Sequence, residues 1–370
     1  MTTKDWYTLT ETNNILTPSL VVYPERIAEN IKTMIQIAGG AQYLRPHIKT
    51  HKMAEIVQLQ LQAGINKFKC ATIAEAELLG QCGAKDILLA MQPVGANIAR
   101  FFSLIATFPE AHFSTITDNL EIAMEIANRA AEKNLKISLW VDINNGMNRS
   151  GIVPGTAAEE LYKAIHKHPH LIASGLHVYD GHIRDKDPIA RKKTCDRDFA
   201  PVLALKKSLE DAHIPVPTII AGGSPTFPFH AERQGVETSP GTTLLWDAGY
   251  GNSFKDLAFL PAAVLLTRIV SKPNTDMLCF DLGHKWVACE KELPRIHFLN
   301  VSNTEQTGQS EEHLVVHCPQ DSQPKIGALA YAIPLHICPT VAKYNRVLTA
   351  VDGTITGSWK VAARNNKITL

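Results

Sequence analysis

KFKCATIAEAELLGQCGAKDILLAM, residues 67–91, holds a short β-rich run, an amphipathic helical stretch and a second β-rich run. The helical pattern TIAEAELLGQCG lies between candidate strands that begin near Lys67 and Asp86. Two strands joined in this way are typical of a parallel β-α-β unit. This segment therefore predicts an α/β fold.

The same alternation runs through the first two-thirds of the chain. Eight units favour a closed (β/α)8 TIM-like barrel, because their span fits the roughly 200 to 250 residues of that fold; an open doubly wound sheet is the alternative. Candidate strands begin near Tyr43, Lys67, Asp86, His112, Lys136, Leu171, Thr218 and Thr243.

The pattern changes after about Leu260. AAVLLTRIVSKP, TDMLCFDLG, RIHFLNVS, EHLVVHCP and RVLTAVDGTITG are typical of strands separated by turns, which predicts a C-terminal all-β domain. The early strand PSLVVY lies outside the eight units and is a candidate to cross over to that domain. We predict a barrel domain over residues 18–255 and a β-rich domain formed by residues 1–17 and 256–370.

Composition excludes several partners. The 370 residues include 37 Lys+Arg and 36 Asp+Glu, so a net charge of +1 attracts neither nucleic acid nor an anionic membrane. No segment approaches the ~18 uninterrupted apolar residues of a membrane span, and the N-terminus lacks a basic start followed by an apolar run. The 7 cysteines show no paired spacing. We expect a cytoplasmic protein with reduced cysteines and a small-molecule substrate.

RPHIKTHK, residues 45–52, follows the first candidate strand. In a barrel the working groups sit at the C-terminal ends of the strands, so this motif places Lys49 there beside His47, His51 and Lys52. Nearby cations disfavour the charged form of Lys49 and free its amine as a nucleophile. The alternative is a solvated surface lysine.

Two later segments suit a phosphate group. TIIAGGSPT supplies Gly222 and Gly223, where the backbone can approach an anion, and ETSPGTTLLWD supplies Gly241. Hydroxyl donors are available on Ser224, Thr226 and Thr242. Barrel enzymes often bind phosphate in this place, although a Gly-Gly-Ser turn by itself is more often only a turn.

The fifth and sixth strands bring further polar side chains to the same edge. WVDINNGMNRSGI carries Arg149, whose forked donors suit the phenolic oxygen of an aromatic cofactor or a substrate carboxylate; a structural ion pair is the alternative. SGLHVYDGH carries His177, Tyr179, Asp180 and His182. Tyr179 is a candidate to pack on a cofactor ring, against the alternative of ordinary packing.

PLHICPT, residues 334–340, places His336 and Cys338 two residues apart. On a strand such residues face the same way, so an imidazole and a thiolate can converge on a metal, in the first instance zinc. Two ligands leave coordination positions open for a substrate. The alternative is a buried cysteine near a histidine without metal.

Taken in order, seven motifs resemble the fold-type III pyridoxal-phosphate enzymes of the alanine racemase type, within the D-threonine aldolase and D-serine dehydratase branch. They are RPHIKTHK, DINNGMNRSGI, GLHVYDGH, AGGSPT, ETSPGTTLLWD, SEEH and PLHICPT. The resemblance implies that Lys49 binds the cofactor covalently, that Gly222, Gly223 and Ser224 take its phosphate, and that Arg149 lies by its phenolic oxygen. It also implies that His336 and Cys338 bind the metal and that the protein is a homodimer.

The implied function is that of a pyridoxal-phosphate- and metal-dependent lyase, with zinc or manganese, that acts on a small D-3-hydroxy amino acid. The motifs do not separate dehydration from aldol cleavage. His-x-Cys resembles the dehydratase branch, since the aldolase branch tends to carry aspartate at position 338 and a histidine near Asp185. GLHVYDGH and Thr243 depart from the dehydratase pattern. An amino-acid racemase and a non-catalytic pyridoxal-phosphate-binding protein remain the alternatives.

Overall fold

The computed structural model describes residues 5–370, which divide into two compact units. One unit comprises Met34–Lys49, Val57–Gly241 and Asn365–Leu370, and we call it the parallel unit. The other, the antiparallel unit, comprises the described residues up to Thr33, with Thr50–Ile56 and Thr242–Arg364.

Sixteen strands lie in the described residues. In chain order they are β1 (Ser19–Val22), β2 (Lys67–Cys70), β3 (Asp86–Leu89), β4 (His112–Thr117), β5 (Ile137–Ile143), β6 (Leu171–Val178), β7 (Ile219–Ala221), β8 (Val236–Thr238), β9 (Ala263–Ser271), β10 (Met277–Phe280), β11 (Ile296–Phe298), β12 (Glu305–Gln309), β13 (Leu314–His317), β14 (Leu329–Pro334), β15 (Arg346–Val351) and β16 (Thr354–Lys360).

The α-helices of the same part of the chain are α1 (Pro24–Ala38), α2 (Ala54–Gln62), α3 (Ile73–Gln81), α4 (Ala96–Thr107), α5 (Leu120–Glu132), α6 (Thr156–Lys167), α7 (Pro188–Asp211), α8 (Phe227–Ala231), α9 (Ala248–Ser253) and α10 (Ile337–Val341). None of them is both long and apolar enough to span a bilayer.

The parallel unit is a TIM-like sheet of seven strands in the order β2 to β8, every neighbouring pair being parallel. Its strands are almost wholly buried because helices alternate with them along the chain; β5, for example, is buried throughout. Side-chain caps begin several of these helices: Asn119 accepts a hydrogen bond from the Ile122 amide at the start of α5.

The first predicted strand is not a regular strand. Ala41–Tyr43 forms a 3₁₀ turn, after which Leu44 pairs with Thr238 of β8 and His47 pairs with Lys69 of β2 as isolated bridges. Pro46 within this segment has no amide hydrogen to donate, which interrupts a ladder. The segment 44–47 thus bonds to both end strands of the sheet.

The expected strand near Thr243 is wrong. The eighth position is taken by β8, whereas Thr242–Leu244 forms a 3₁₀ turn. Pro240 and Gly241 separate the two, because a proline and a glycine in succession favour a turn over a continued strand. The other six predicted strand starts lie within one residue of the observed ones.

The antiparallel unit carries a nine-stranded sheet with the path β12-β13-β10-β9-β1-β15-β16, and β14 pairs with both β9 and β11. The pairing is antiparallel except between β1 and β15. The predicted crossing of PSLVVY into this sheet is confirmed, since β1 lies between β9 and β15. The expected all-β content is only approximate, because α9 and α10 belong to the same unit.

Candidate active site

Three cationic side chains surround Tyr179, which follows β6. Lys49 Nζ lies 5.2 Å, Lys69 Nζ 5.9 Å and the Arg149 guanidinium carbon 4.8 Å from the centroid of its ring. Such cations are attracted to the face of an aromatic ring. We call Tyr179 and these cations the Tyr179 site; an aromatic surface ringed by positive charge suits a planar, anionic ligand.

Lys49 is positioned by segment 44–47, which bonds to both end strands of the parallel sheet. The His47 amide donates to the Pro240 carbonyl at 2.9 Å, and Lys49 follows in the 3₁₀ turn Ile48–Thr50. The Lys49 amide donates to His47 Nδ1 at 3.2 Å. His47 therefore fixes the backbone of the turn that presents the lysine.

Lys69 is a buried lysine inside β2 that the sequence analysis did not single out. Its Nζ lies 3.4 Å from His177 Nε2, and His177 Nδ1 lies 2.7 Å from Asp142 Oδ1. Burial would raise the pKa of Asp142, but its hydrogen bond with His177 keeps that pKa below the usual value. Asp142 is therefore a carboxylate that accepts from His177 at neutral pH.

The glycine turn after β7, residues 222–224, packs too closely against its neighbours for larger side chains, and the amides of its two glycines are already bonded. Gly222 has φ +83°, and a Cβ there would lie 2.9 Å from His230 Cδ2. A Cβ on Gly223 would lie 3.2 Å from Tyr179 Cε2. The Gly222 amide already donates to the Val178 carbonyl, and the Gly223 amide to Asp180 Oδ1.

Asp180 stabilises the glycine turn through hydrogen bonds. Its Oδ1 accepts from the Gly223 amide at 3.1 Å and from the Thr226 hydroxyl at 2.7 Å, while its Oδ2 lies 2.8 Å from His230 Nε2. Burial would raise the pKa of Asp180, but its contact with His230 lowers it below the usual value. A fully buried carboxylate with this set of donors fixes the conformation of the turn.

Gly241, which follows β8, packs against the backbone of His47. Its amide donates to Ser224 Oγ at 3.2 Å, which joins the glycine turn to the segment after β8. A Cβ on Gly241 would lie 2.8 Å from the His47 carbonyl oxygen. Glycine is therefore required for the chain to pass this close to the backbone that presents Lys49.

His336 and Cys338 lie in the antiparallel unit, but not on a strand. His336 immediately precedes α10 and Cys338 lies in its first turn, so the expected strand geometry is wrong. The two side chains nevertheless contact each other. Thr50 Oγ1 and Thr242 Oγ1 lie 3.2 Å and 3.5 Å from Cys338 Sγ. Thr242 is thus a neighbour of the metal motif.

Hydrogen bonds within this motif make the Cys338 thiol easier to ionise. Desolvation would raise the pKa of Cys338, but hydrogen bonds from His336, Thr50 and Thr242 bring it below the usual value. Burial would lower the pKa of His336, yet Cys338 and the Glu290 carboxylate on its Nδ1 raise it. A thiolate beside an imidazole is a donor pair suited to a soft divalent metal, and a carboxylate on the second imidazole nitrogen is a common outer partner of such ligands.

A second group of potential metal ligands in the described chain, Asp180, Cys195 and His230, has atoms within 4.8 Å of one another. Arg233 Nη1 lies 2.7 Å from His230 Nδ1, so the proton of this imidazole belongs on Nε2, facing Asp180. Burial, aided by Asp180, raises the pKa of Cys195 to about 12. The thiol is protonated, both imidazole nitrogens have hydrogen-bond partners and a guanidinium lies nearby. We therefore interpret this group as a hydrogen-bond network and not as a metal site.

The structure brings several of the sequence-predicted site residues together. Lys49, Arg149 and Tyr179 come together, as do His47, Ser224 and Gly241. Lys69 and Glu290 were missed. The one signal for Lys69 is its position inside a short, otherwise buried strand, and Glu290 lies 46 residues from His336 in a segment without a pattern.

The chain has a TIM-like parallel sheet and a mostly antiparallel sheet, and Lys49 lies beside the ring of Tyr179. These features can be compared with known families. The model of the alanine racemase N-terminal domain matches residues 22–248, and that of a putative serine dehydratase domain matches residues 262–350. The chain therefore belongs to the alanine racemase N-terminal domain family, and the resemblance stated from the motifs is confirmed.

Among curated relatives, the chain is 27% identical to a D-threonine aldolase from an Arthrobacter species, over 94% of this chain and 92% of that protein. It is 26% identical to a D-threo-3-hydroxyaspartate dehydratase from a Delftia species, over 75% and 73%. The solved D-threonine aldolase of Filomicrobium marinum superposes with a TM-score of 0.87 at 24% identity, covering 95% of each chain, which shows the shared fold.

Proposed function

We propose that this protein is a pyridoxal-phosphate- and metal-dependent lyase that acts on a small D-3-hydroxy amino acid. The observation that carries the proposal is the approach of Lys49 and Arg149 to one aromatic ring beside the glycine turn. Support comes from relatives named as aldolases and dehydratases of D-3-hydroxy amino acids, with matches that extend over both units.

The residues present fit the cofactor. Lys49 supplies the amine for its aldehyde, Tyr179 a ring on which its pyridine packs, and Arg149 a donor for its phenolic oxygen. The glycine turn is the proposed side of the phosphate, because Gly223 lacks the Cβ that would crowd the ring of Tyr179, and Gly222 is the other glycine of the proposed phosphate set. His47, Ser224, Gly241 and Thr242 complete the proposed cofactor set.

Bound pyridoxal phosphate supplies an electron sink for the carbanion that forms at the substrate Cα. The chain's own residues orient the substrate and move protons. In dehydration, Lys49 Nζ removes the Cα proton and the 3-hydroxyl leaves as hydroxide with the C–O electron pair, so that the proton and hydroxide lost together make one water. In aldol cleavage, a base removes the proton of the 3-hydroxyl, and the Cα–Cβ bond breaks to give glycine and an aldehyde.

His336 and Cys338 are proposed to hold the metal, with Glu290 fixing the orientation of the imidazole. We favour zinc over manganese, because a thiolate with a lowered pKa is a softer donor than manganese prefers. Bound zinc supplies a Lewis acid for the substrate's 3-hydroxyl oxygen.

Location, assembly and domain limits stay proposals. We propose a cytoplasmic homodimer, in line with the near-neutral net charge of +1 and the family resemblance. Although the compact units place the described residues up to Thr33 and those from Thr242 to Arg364 in the antiparallel unit, we keep as sequence domains the boundaries 18–255 and 256–370, the second joined by residues 1–17. The first four residues of that range lie outside the described chain.

The product of the reaction tests the proposal. Purified protein loaded with pyridoxal phosphate and zinc is incubated with D-serine, D-threonine and D-3-hydroxyaspartate. A keto acid with ammonia indicates dehydration, and glycine with an aldehyde indicates cleavage. Formation of the L-enantiomer alone, unaffected by a chelator, would instead support the racemase alternative, and no turnover would support a binding protein.

A further inference from the structure

Lys69 is a titratable group of the Tyr179 site that has no role in the chemistry proposed above. Its side chain is 2% exposed, and its Nζ lies 5.9 Å from the same ring that Lys49 and Arg149 approach. A lysine is almost never buried without a partner or a function.

The hydrogen-bond chain Lys69–His177–Asp142 fixes the orientation of this amine. Because Asp142 accepts from His177 Nδ1, the lone pair of the neutral imidazole lies on Nε2, which faces Lys69. Burial, followed by repulsion from Lys69, lowers the pKa of His177, so the ring is uncharged at neutral pH. Lys69 therefore donates one N–H to His177 and, when uncharged, keeps its own lone pair for another proton.

The charges around Lys69 come from several elements. Arg45 and Lys49 lie on the segment after α1, Asp142 on β5, and Asp180 after β6. Burial is the largest influence and lowers the pKa of Lys69 to about 7, helped by Lys49 and Arg45 against the opposing effect of Asp142 and Asp180. About half of the molecules thus carry an uncharged Lys69 near neutral pH.

An incoming amino acid arrives as an ammonium ion, whose nitrogen has no lone pair with which to displace Lys49. Its charge also enters a site that already holds the Arg149 cation. We propose that Lys69, held by His177 and Asp142, is a second proton-accepting amine of the active site that takes a proton from the substrate's ammonium group. This inference rests on the proposed function and deepens it.

The proton transfer breaks one bond and forms one. One N–H bond of the substrate ammonium breaks and its electron pair remains on the substrate nitrogen, while the lone pair of Lys69 Nζ forms a new N–H bond. Total charge is unchanged: an ammonium at Lys69, near Asp142 and Asp180, replaces one at the substrate. The freed amine can then displace Lys49.

The test follows the exchange step, in which the substrate amine replaces Lys49 on the cofactor. Holoenzyme is mixed with D-serine between pH 6 and 8 and the absorbance is recorded by stopped flow. In the wild type the second-order rate constant is expected to rise with the uncharged fraction of Lys69 and to level off once that amine is fully uncharged. Lys69→Met should react at least about tenfold more slowly at pH 7, and its rate should keep rising with the free-amine fraction of D-serine.

Lys67→Met is the matched control, since Lys67 lies on the same strand but pairs with Glu237. It should keep the wild-type profile. Asp142→Asn gives a second, independent reading: removing the negative charge lowers the pKa of Lys69, so the midpoint should move to lower pH. A Lys69→Met profile with the wild-type midpoint, or an unmoved midpoint in Asp142→Asn, would overturn the inference.

The visible absorbance of the holoenzyme separates this inference from the proposed function. A wild type that forms no lysine-bound cofactor band would refute the proposed function itself and, with it, the role of Lys69. A wild type with a normal band and turnover, but a flat pH profile for the exchange step, would refute only the role of Lys69.

Discussion

Asp180 accepts hydrogen bonds from the glycine turn and from Thr226 and His230 after it, and its fixed orientation depends on having two acceptor oxygens. Asp180→Asn turns an amide N–H toward either His230 or Thr226, which leaves buried donors facing each other. We expect the affinity for pyridoxal phosphate to fall about tenfold, equivalent to about 1.4 kcal/mol, within the cost of an unsatisfied buried group. Titration of the holoenzyme absorbance measures it.

The matched control is Asp185→Asn, which removes the same charge from an exposed position five residues further along the chain. It should bind the cofactor like the wild type. Equal affinities for Asp180→Asn and the wild type would show that the glycine turn holds its shape without the carboxylate.

In the proposed metal site, Cys338 is the ligand whose loss should affect metal binding most. Cys338→Ala removes the softer of two protein donors, so bound metal and lyase activity should fall together while the cofactor band persists. Glu290→Gln retains both donors and should weaken metal binding by a smaller factor, about tenfold, as loss of an outer partner typically does. Metal analysis after dialysis measures both.

Cys289→Ala serves as the control for adventitious binding, since Cys289 is an exposed thiol in the same unit. Metal content that is unchanged in Cys338→Ala, or lost equally in Cys289→Ala, would show that PLHICPT is not the metal site.

Residue identities predicted Lys49, Arg149 and Tyr179 because strand ends on a barrel carry the working groups. They could not predict Lys69. A lysine on a strand is usually solvated, and its burial here depends on partners 73 and 108 residues away in sequence, which no local pattern records.

Among the secondary-structure elements, Arg45 links β8, at one end of the parallel sheet, to β3, the strand next to the other end. Its guanidinium donates to both carboxylate oxygens of Asp86 in β3, at 2.7 and 2.9 Å, and its Nε donates to Glu237 of β8 at 2.8 Å. Burial would raise the pKa of Asp86, but hydrogen bonds from His112 and Arg45 lower it well below the usual range.

Because the folded-state pKa of Asp86 is lowered, its contribution to stability is present above the unfolded-state pKa of about 4 and is lost as pH falls below it. Asp86→Asn should lower the free energy of unfolding by about 2 kcal/mol at pH 7, and its difference from the wild type should shrink below about pH 4. Urea unfolding across pH measures this. Exposed Glu110→Gln is the control; a difference independent of pH would contradict the assignment.

Most strands were predictable because buried parallel strands are short apolar runs between helical patterns. The first and eighth positions were not. RPHIK contains a proline and forms only isolated bridges, while the apolar run TTLLW begins as a 3₁₀ turn after Pro240 and Gly241. In both places a local turn preference outweighs the apolar pattern.

At the scale of the whole molecule, the two kinds of candidate site belong to different compact units. The Tyr179 site and the glycine turn lie in the parallel unit, whereas His336, Cys338 and Glu290 lie in the antiparallel unit. A chelator should therefore remove metal and abolish lyase activity while the cofactor stays bound, and added zinc should restore turnover. Loss of the cofactor band together with the metal would contradict this separation.

The central claim is that Lys49 is the lysine to which the cofactor binds. Borohydride reduction of the holoenzyme, followed by proteolysis and mass spectrometry, identifies the modified residue directly. The account predicts a single reduced pyridoxyl group on Lys49, and its loss in Lys49→Ala. A modification on Lys52 or Lys69 instead, or none at all, would contradict it.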